Sequence, residues 1–533
     1  MTGTTRILPV RTGSSRSARA EALDCILEES TTVSITKFAR WKIFWRSPIG
    51  LAWMGLILSL AATLIGLQML LTSTKSNDSS LLGMDLEAQR DYWLSTYQHL
   101  QSQNATTMLI PESPQWQALQ WLVTADPLAP LQGERLVQRY ALACLYFHWD
   151  GWLFSTAAAG WMDLVQQAAV SSDGMVTVVA PSEGEPVTTR SRVPLHECQW
   201  LGVTCNDQDQ VVGLDFQSAS FVLAGMVPTE LGLLSHLTVL DCAGKSLVGT
   251  FSVALPQLQH LNLKGNRLNV FQETWGAWTN LETVNLAENR FEGTLPGSTL
   301  AQWTKLRHFD IHTMPVAGNF WQDVVPHWPL IEHIDISLTE LSGTIPEVTA
   351  DGPLSRLKSL YASNTPLKGT LPASLTAATG LIALQLNDIT GLTPSSLPSE
   401  IGKWTKLETW GLTSPTALMG SLPTEIGLMT SLRELNVYSN RGLNGTLPTE
   451  LGHLKELQIL KVCYTDLSGT VPDEIGTLKK LKDVQFHQTN LVGTVPLGLC
   501  SGSLNVLAAD CATLSEGIAP QMKCPLGCCD CYV

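Results

Sequence analysis

From about Val211 to Leu507 the chain repeats one alternation of apolar and polar positions. Its clearest copies read LRELNVYSNRGLNGTLPTELGHLKE (Leu432–Glu456) and LQILKVCYTDLSGTVPDEIGTLKK (Leu457–Lys480). The shared template is L-x-x-L-x-L-x-x-(N/T)-x-L-x-G-x-h-P-x-x-h-G-x-L, where h is apolar. Its L-x-L segment has a period of two. Each copy therefore predicts a short strand, with Leu435 and Val437 pointing inward and Asn436 and Tyr438 outward. Copies begin at Val211, Leu237, Leu258, Leu281, Leu306, Ile331, Leu357, Leu381, Leu407, Leu432, Leu457 and Leu481, with a truncated one at Leu504, at spacings of 21 to 26 residues. A unit this short cannot bury its own apolar face, so the copies must stack and align their strands in one parallel concave sheet.

Eight copies carry G-x-h-P, from Gly225–Pro228 and Gly293–Pro296 to Gly469–Pro472 and Gly493–Pro496. Glycine permits a tight turn and proline fixes φ, which suits a short extended segment leading to the convex side. Eight residues after the start, Asn266, Asn289 and Asn440 can bond neighbouring backbones in a ladder. Thr339, Thr365, Thr465 and Thr489 replace them elsewhere and predict a less regular ladder. The copies at Leu306 and Leu381 are the most degenerate and are expected to deform the stack locally.

Ahead of the repeats, Asp85–Gln103 carries a helical stripe of apolar residues. Ser113-Pro114 reads as N-cap and first helical position of a second helix, stopped by Asp126-Pro127, and Gly133–Trp152 reads as a third. The aromatic residues around Tyr140, Tyr146 and Trp149 fit a small helical core better than a carbohydrate platform. Ser171–Val193 reads as an exposed Pro/Glu/Ser/Thr linker. Directly before the first copy stands Cys198-Gln-Trp200-Leu-Gly202-Val-Thr-Cys205, a C-x-W-x-G-V-x-C motif.

The repeats are identified as leucine-rich repeats, and L-x-G-x-h-P with the C-x-W-x-G-V-x-C motif resembles plant-type extracellular members of that class. The resemblance implies an α/β solenoid, a leucine-rich-repeat horseshoe with a parallel concave sheet. It also implies that Cys198 and Cys205 pair in an N-terminal cap whose Trp covers the end of the core. The N-terminal tail, the apolar run described below, SPQWQALQWL, QRYALACLYF and the Cys-rich end look more like the membrane-anchored, receptor-like leucine-rich-repeat proteins of diatoms. Unlike receptor kinases, the chain shows no Gly-rich loop, catalytic Lys or H-R-D segment.

Charge and cysteine usage add a compartment. Ile49–Thr72 is 24 residues without a charge, long enough to span a bilayer. It is too long and too far from the start for a cleaved signal peptide. Residues 1–48 hold eight Lys/Arg against four acids, leaving 25 basic and 43 acidic residues beyond them. That bias places the N-terminus in the cytoplasm and makes the run a type II signal anchor, with the rest outside. The expected organisation is a largely disordered tail over 1–48, the anchor over 49–72, a helical region and linker over 73–190, an N-terminal Cys cap over 191–210, repeats over 211–507 and a Cys-rich C-terminal cap over 508–533. An acidic body argues against nucleic acid. Eleven of twelve cysteines lie beyond the run, as do the sequons at Asn77, Asn104 and Asn444, so disulfides and glycosylation are expected. Zinc at the Cys524–Cys531 cluster is the weaker reading.

Outward strand positions define the candidate ligand face: His308, Asp310, His312, His333, Asp335 and Tyr361 in the middle, then Glu434, Asn436, Tyr438, Lys461, Asp483 and His487. Three imidazoles beside two carboxylates could bind a divalent metal or sense extracellular pH. A solvated polar face is the simpler reading, and no metal or cofactor is assigned. No repeat shows a recurring nucleophile–base pair, so an enzyme is not expected. The expected function is a single-pass receptor-like protein, at the plasma membrane, that recognises an extracellular protein, peptide or glycan and signals through a co-receptor. Its one helix would contact membrane lipid. A structural or adhesive cell-surface role is the alternative.

Overall fold

Fifteen strands, most of them three residues long, run side by side as one continuous sheet from Val203–Cys205 to Asp530–Tyr532. The computed structural model describes residues 86–102, 110, 113–124, 126, 131–149, 168–170, 176–178, 189–190, 196–217, 223–414, 417–500, 504–510, 522–524 and 530–532. The expected tail, the apolar run at 49–72, Asn77 and Asn104 lie outside them. Among the described residues no helix is long and apolar enough to cross a membrane.

All neighbours in the long sheet are parallel except Val203–Cys205, which pairs antiparallel with Val211–Asp215. Between the two ends, each parallel strand occupies the second to fourth residues after a repeat start, as in Glu434–Asn436 beside Ile459–Lys461. The chain is a leucine-rich-repeat solenoid. Leu435 and Val437 are fully buried, whereas Tyr438 is exposed. The pairing runs unshifted through the copies at Leu306 and Leu381 (Thr283↔His308↔His333 and Ser359↔Ala383↔Thr409). The expected deformation is therefore absent from this sheet. The inward residues Phe309 and Leu384 preserve the pattern on which stacking depends.

On the opposite side, short parallel pairings follow the strands, such as Ser468–Thr470 beside Asn490–Thr494. All eight glycines of the G-x-h-P copies have positive φ, from 75° to 120°. That region is open to glycine without steric cost, which explains the residue at this turn. Five of these prolines then precede single 3₁₀ turns, for example Thr449–His453 after Pro448 and Asp473–Thr477 after Pro472, while Pro296 and Pro496 precede one α-helical turn each.

Buried asparagines join the coils. Asn440 donates through Nδ2 to the Val437 carbonyl at 2.9 Å and the Leu412 carbonyl one coil back at 2.7 Å, and its Oδ1 accepts from the Leu418 N–H at 3.0 Å. Asn266 and Asn289 do the same. The threonines behave differently. Thr339, Thr365, Thr465 and Thr489 each donate at 2.7 Å to the carbonyl three residues before and to no carbonyl of the preceding coil. Indoles take over part of the work in the middle of the array. Nε1 of Trp275, Trp303 and Trp328 donates to the carbonyls of Phe251, Trp275 and Leu300, each in the coil before.

The chain divides into compact units at Gln98/His99. Helix α1 (Leu86–Ser102) stacks Trp93 on Tyr97 at 5.5 Å. In the second unit, α2 (Pro114–Thr124) is capped by Ser113, whose Oγ accepts from the Trp116 N–H at 3.1 Å. Helix α3 (Gly133–His148) packs on α2 and on the first coil. Its Arg139 is buried between Asp126 (2.7 Å) and Glu197 (2.8 Å), with the Trp121 and Trp200 rings 5.4 and 5.0 Å from the guanidinium. Gln138 accepts the N–H of Val211 at 2.7 Å, and Trp149 donates to the Met226 carbonyl. Cys198 and Cys205 form a disulfide. Two strands fall within the segment read as an exposed linker: Val176–Val178 and Thr189–Arg190 form a small antiparallel sheet with Ala168–Val170, which precedes it. Its Val and Thr content favours extended pairing over a free loop.

Two stability outcomes follow from these contacts. Asn440→Ala strands a buried N–H and two carbonyls and is expected to cost about 1–3 kcal/mol more than Thr465→Val, which loses one local bond; chemical denaturation of both variants measures the difference. Arg139→Ala removes the buried guanidinium that joins Asp126 to Glu197, leaving Glu197 to Arg135 and Gln138, and is expected to cost about 3–5 kcal/mol, read in the same experiment.

Candidate functional site

The pleat of the long sheet sorts outward side chains into rows. Two residues after each start stand His260, Thr283, His308, His333 and Ser359, and four after stand Asp241, Asn262, Asn285, Asp310, Asp335 and Tyr361. Together these rows line an open recess of about 480 Å³ on the concave face.

The row at four after the start ends its strands by accepting backbone N–H groups two residues on. Asp241 accepts from Ala243 at 3.0 Å, Asn285 from Ala287 at 3.1 Å and Asp335 from Ser337 at 3.0 Å. Its members also bond sideways: Asn262 donates to Asp241 at 2.8 Å and Asn285 to Asp310 at 2.9 Å. Asp310 and Asp335 stand directly opposite each other in register. Burial, with the Asp310 charge beside it, pushes the Asp335 carboxyl above the usual range. His312 bridges them, its Nδ1 2.6 Å from Asp310 and 3.6 Å from Asp335, and its Nε2 faces Glu288 at 3.3 Å.

In the other row the rings of His308 and His333 stack at 4.1 Å. Burial lowers the pKa of both. Lys358 lowers both further, Arg307 and His260 act on His308, His308 acts on His333, and Glu332 opposes the shift. Hydroxyl–imidazole contacts recur between adjacent repeats: His260 Nδ1 meets Thr283 Oγ1 at 2.9 Å and His333 Nδ1 meets Ser359 Oγ at 2.6 Å. The frame repeats side chains at the same height on adjacent strands, which is why the pair occurs twice. Among the described residues no carboxylate hydrogen-bonds the other nitrogen of either imidazole.

Two sets of donors that include recess residues have ligand atoms within 4.8 Å of one another, His308–Glu332–His333 and Asp310–His312–Asp335. A third set, His196–Cys198–Asp209, loses its thiolate to the disulfide.

The structure thus brings His308, Asp310, His312, His333, Asp335 and Tyr361 together. Glu434, Asn436, Tyr438, Lys461 and Asp483 lie farther along the same face, with Lys461 paired to Asp483 at 3.2 Å. His487 is a correction: it is only 5% exposed and packs edge-on against Tyr464, so it offers the concave surface little. Asn444 is exposed. At the C-terminus Cys500 and Cys524 are disulfide-bonded, while Cys144, Cys242 and Cys463 are free and buried. Sequence reasoning missed Asp241, His260, Asn262, Thr283 and Asn285, although the same frame marks them.

No protein-family model matches the chain, and no curated protein matches it. Solved structures similar to it include the ectodomain of the plant membrane receptor kinase GASSHO1/SCHENGEN3 from Arabidopsis thaliana, in complex with CASPARIAN STRIP INTEGRITY FACTOR 2 (27% identity, 54% of this chain and 40% of that one, TM-score 0.46). A TDR receptor (26% identity, 52% and 47%, TM-score 0.47) and the PEPR1–AtPEP1 complex (20% identity, 63% and 56%, TM-score 0.43) are also similar. The chain spans less than half the length of the first two.

The depressed His308 and His333 fix a sign for acid sensitivity. Both bind protons more weakly folded than unfolded, so stability falls as pH drops through the ordinary imidazole value near 6.5 and below. The His308→Gln/His333→Gln variant is expected to lose less stability than the parent between about pH 7 and pH 5, measured by thermal unfolding across that range.

Proposed function

We propose that this chain is a membrane-anchored recognition protein that takes an extracellular peptide or protein segment in its concave recess, with an extracellular glycan as the other ligand class. In this reading Ile49–Thr72 holds it in the plasma membrane, the repeats face outward, and the signal passes through a co-receptor rather than a kinase or other enzymatic activity of its own. One observation carries the proposal. The recess presents imidazole, hydroxyl, carboxylate, amide and phenol groups side by side at sheet spacing, in a concavity open along its length. An extended chain laid across such rows meets a new donor or acceptor at each strand, which is how solenoids read partners. A passive adhesive role needs no such concentration of polar groups in one stretch.

The test is saturable binding of extracellular peptide, protein and oligosaccharide fractions to the purified chain. Tyr361→Ala and Asp241→Lys are each expected to weaken the captured ligand at least about tenfold, or about 1.4 kcal/mol. Self-aggregation of coated beads with no saturable ligand, insensitive to both substitutions, would instead establish adhesion.

A further inference from the structure

We propose that Asp310, His312 and Asp335 form a binding site for a divalent metal ion of the zinc class, oriented by Glu288 and Asn285. The site lies beyond the peptide-recognition reading and does not depend on it.

The starting point is a conflict inside the sheet. Asp310 and Asp335 are register partners on adjacent parallel strands, and like charges directly opposite destabilise a strand pair. The nearby fixed cations are engaged elsewhere, Lys264 with Glu288 at 3.1 Å and Arg307 and Lys358 with Glu332. His312 is the side chain that reaches both carboxylates, and it does so through a single nitrogen, Nδ1.

The surroundings of His312 also fit a metal ligand. Its Nε2 faces the Glu288 carboxylate at 3.3 Å. Where an ion takes the place of the hydrogen between Nδ1 and Asp310, the Glu288 carboxylate on Nε2–H holds the ring as it is held in metal-bound histidines. The acids are held too. Asn285 Nδ2 donates to Asp310 Oδ2 at 2.9 Å, and the Ser337 N–H donates to Asp335 Oδ1 at 3.0 Å, so Asp335 Oδ2 remains toward the imidazole.

Distances agree with the ion. Ligand bonds near 2.1 Å in a tetrahedron put donor atoms about 3.4 Å apart. The 3.6 Å separation of His312 and Asp335 already matches, and the 2.6 Å hydrogen bond to Asp310 must open by less than about 1 Å. One imidazole and two carboxylates suit zinc or manganese, whereas calcium prefers an all-oxygen shell. Three protein donors beside an open recess leave a coordination position for water or for a donor of a bound molecule. The neighbouring His308–Glu332–His333 set is weaker. Arg307 and Lys358 already hold its carboxylate and place positive charge where an ion would sit.

The experiment uses the purified full chain in detergent, stripped with chelator and titrated with Zn²⁺ by calorimetry, with Co²⁺ as an optical probe. One saturable site with nitrogen/oxygen coordination is expected. His312→Ala and the near-isosteric Asp335→Asn should each weaken it at least about 100-fold, Glu288→Gln about tenfold and His308→Gln not at all. Bound Zn²⁺ should raise the melting temperature of the parent but not of Asp335→Asn, which without metal should melt no lower than the parent because one of the two facing charges is gone. Failure to saturate, equal affinity in Asp335→Asn, or a thiolate-to-cobalt absorption band placing the ion at cysteines would each overturn the proposal.

Discussion

Everything in the repeat array depends on one spacing. Neighbouring parallel strands lie about 4.8 Å apart, and a coil of some two dozen residues must return to the sheet within that rise. Only three residues of most coils belong to the concave sheet, so the buried backbone elsewhere needs partners from outside that ladder. Asparagine answers this by reaching two coils at once, as Asn440 does. Trp303 and Trp328 answer it with an indole N–H on the convex side. A third answer is conformational. At eight repeats the non-glycine residue seven after the start has positive φ, among them Glu288, Leu338 and Tyr464, and its N–H bonds the next coil in these cases. The left-handed turn costs a side-chain residue about 1–2 kcal/mol, and the extra inter-coil bond helps to offset it.

These answers differ in how visible they are before the structure is seen. Inward leucines show through period-two patterning, and the glycines of G-x-h-P show because only their backbone needs are unusual. The tryptophan bonds do not show, since Trp303 and Trp328 occupy a position where Leu454 or Met429 serves elsewhere, and apolarity alone hides a donor. The positive φ at Leu338 or Tyr464 is equally hidden, because nothing in a leucine marks it. In the candidate site the frame located the outward rows correctly through Asp335 and Tyr361. It failed at His487, where the aromatic ring of Tyr464 covers a position that alternation labels exposed.

The N-terminal end is closed by chemistry of another kind. An array that stopped at Val211 would leave its core in water, and α3 covers it with a charge at the centre. Burial raises the Glu197 carboxyl, but the Arg135 and Arg139 guanidinium groups and a backbone bond outweigh it and hold the pKa at about 2. Such an arrangement adds less net stability than a well-packed apolar plug would. What it supplies is a single allowed docking geometry: the forked guanidinium must meet Asp126 and Glu197 together, between two indole faces. Helices α2 and α3 and the first coil therefore share one core, which the cysteine motif alone did not reveal.

The two outward margins of the same strands treat charge in opposite ways. Along the residues one after each start, signs alternate: Glu282, Arg307, Glu332 and Lys358 follow one another on successive coils and pair across them. Exposed pairs of this sort contribute little stability each, but they leave no net field. Four after the start the signs do not alternate. Asp215 and Asp241 are register partners, as are Asp310 and Asp335, with two asparagines between the pairs. Identical strand geometry could have carried alternating signs here too, as it does three residues earlier. A row left negative along the floor of a concave recess focuses its field outward, so the complement to that row is to be sought in a cation or in a positively charged segment of whatever enters the recess.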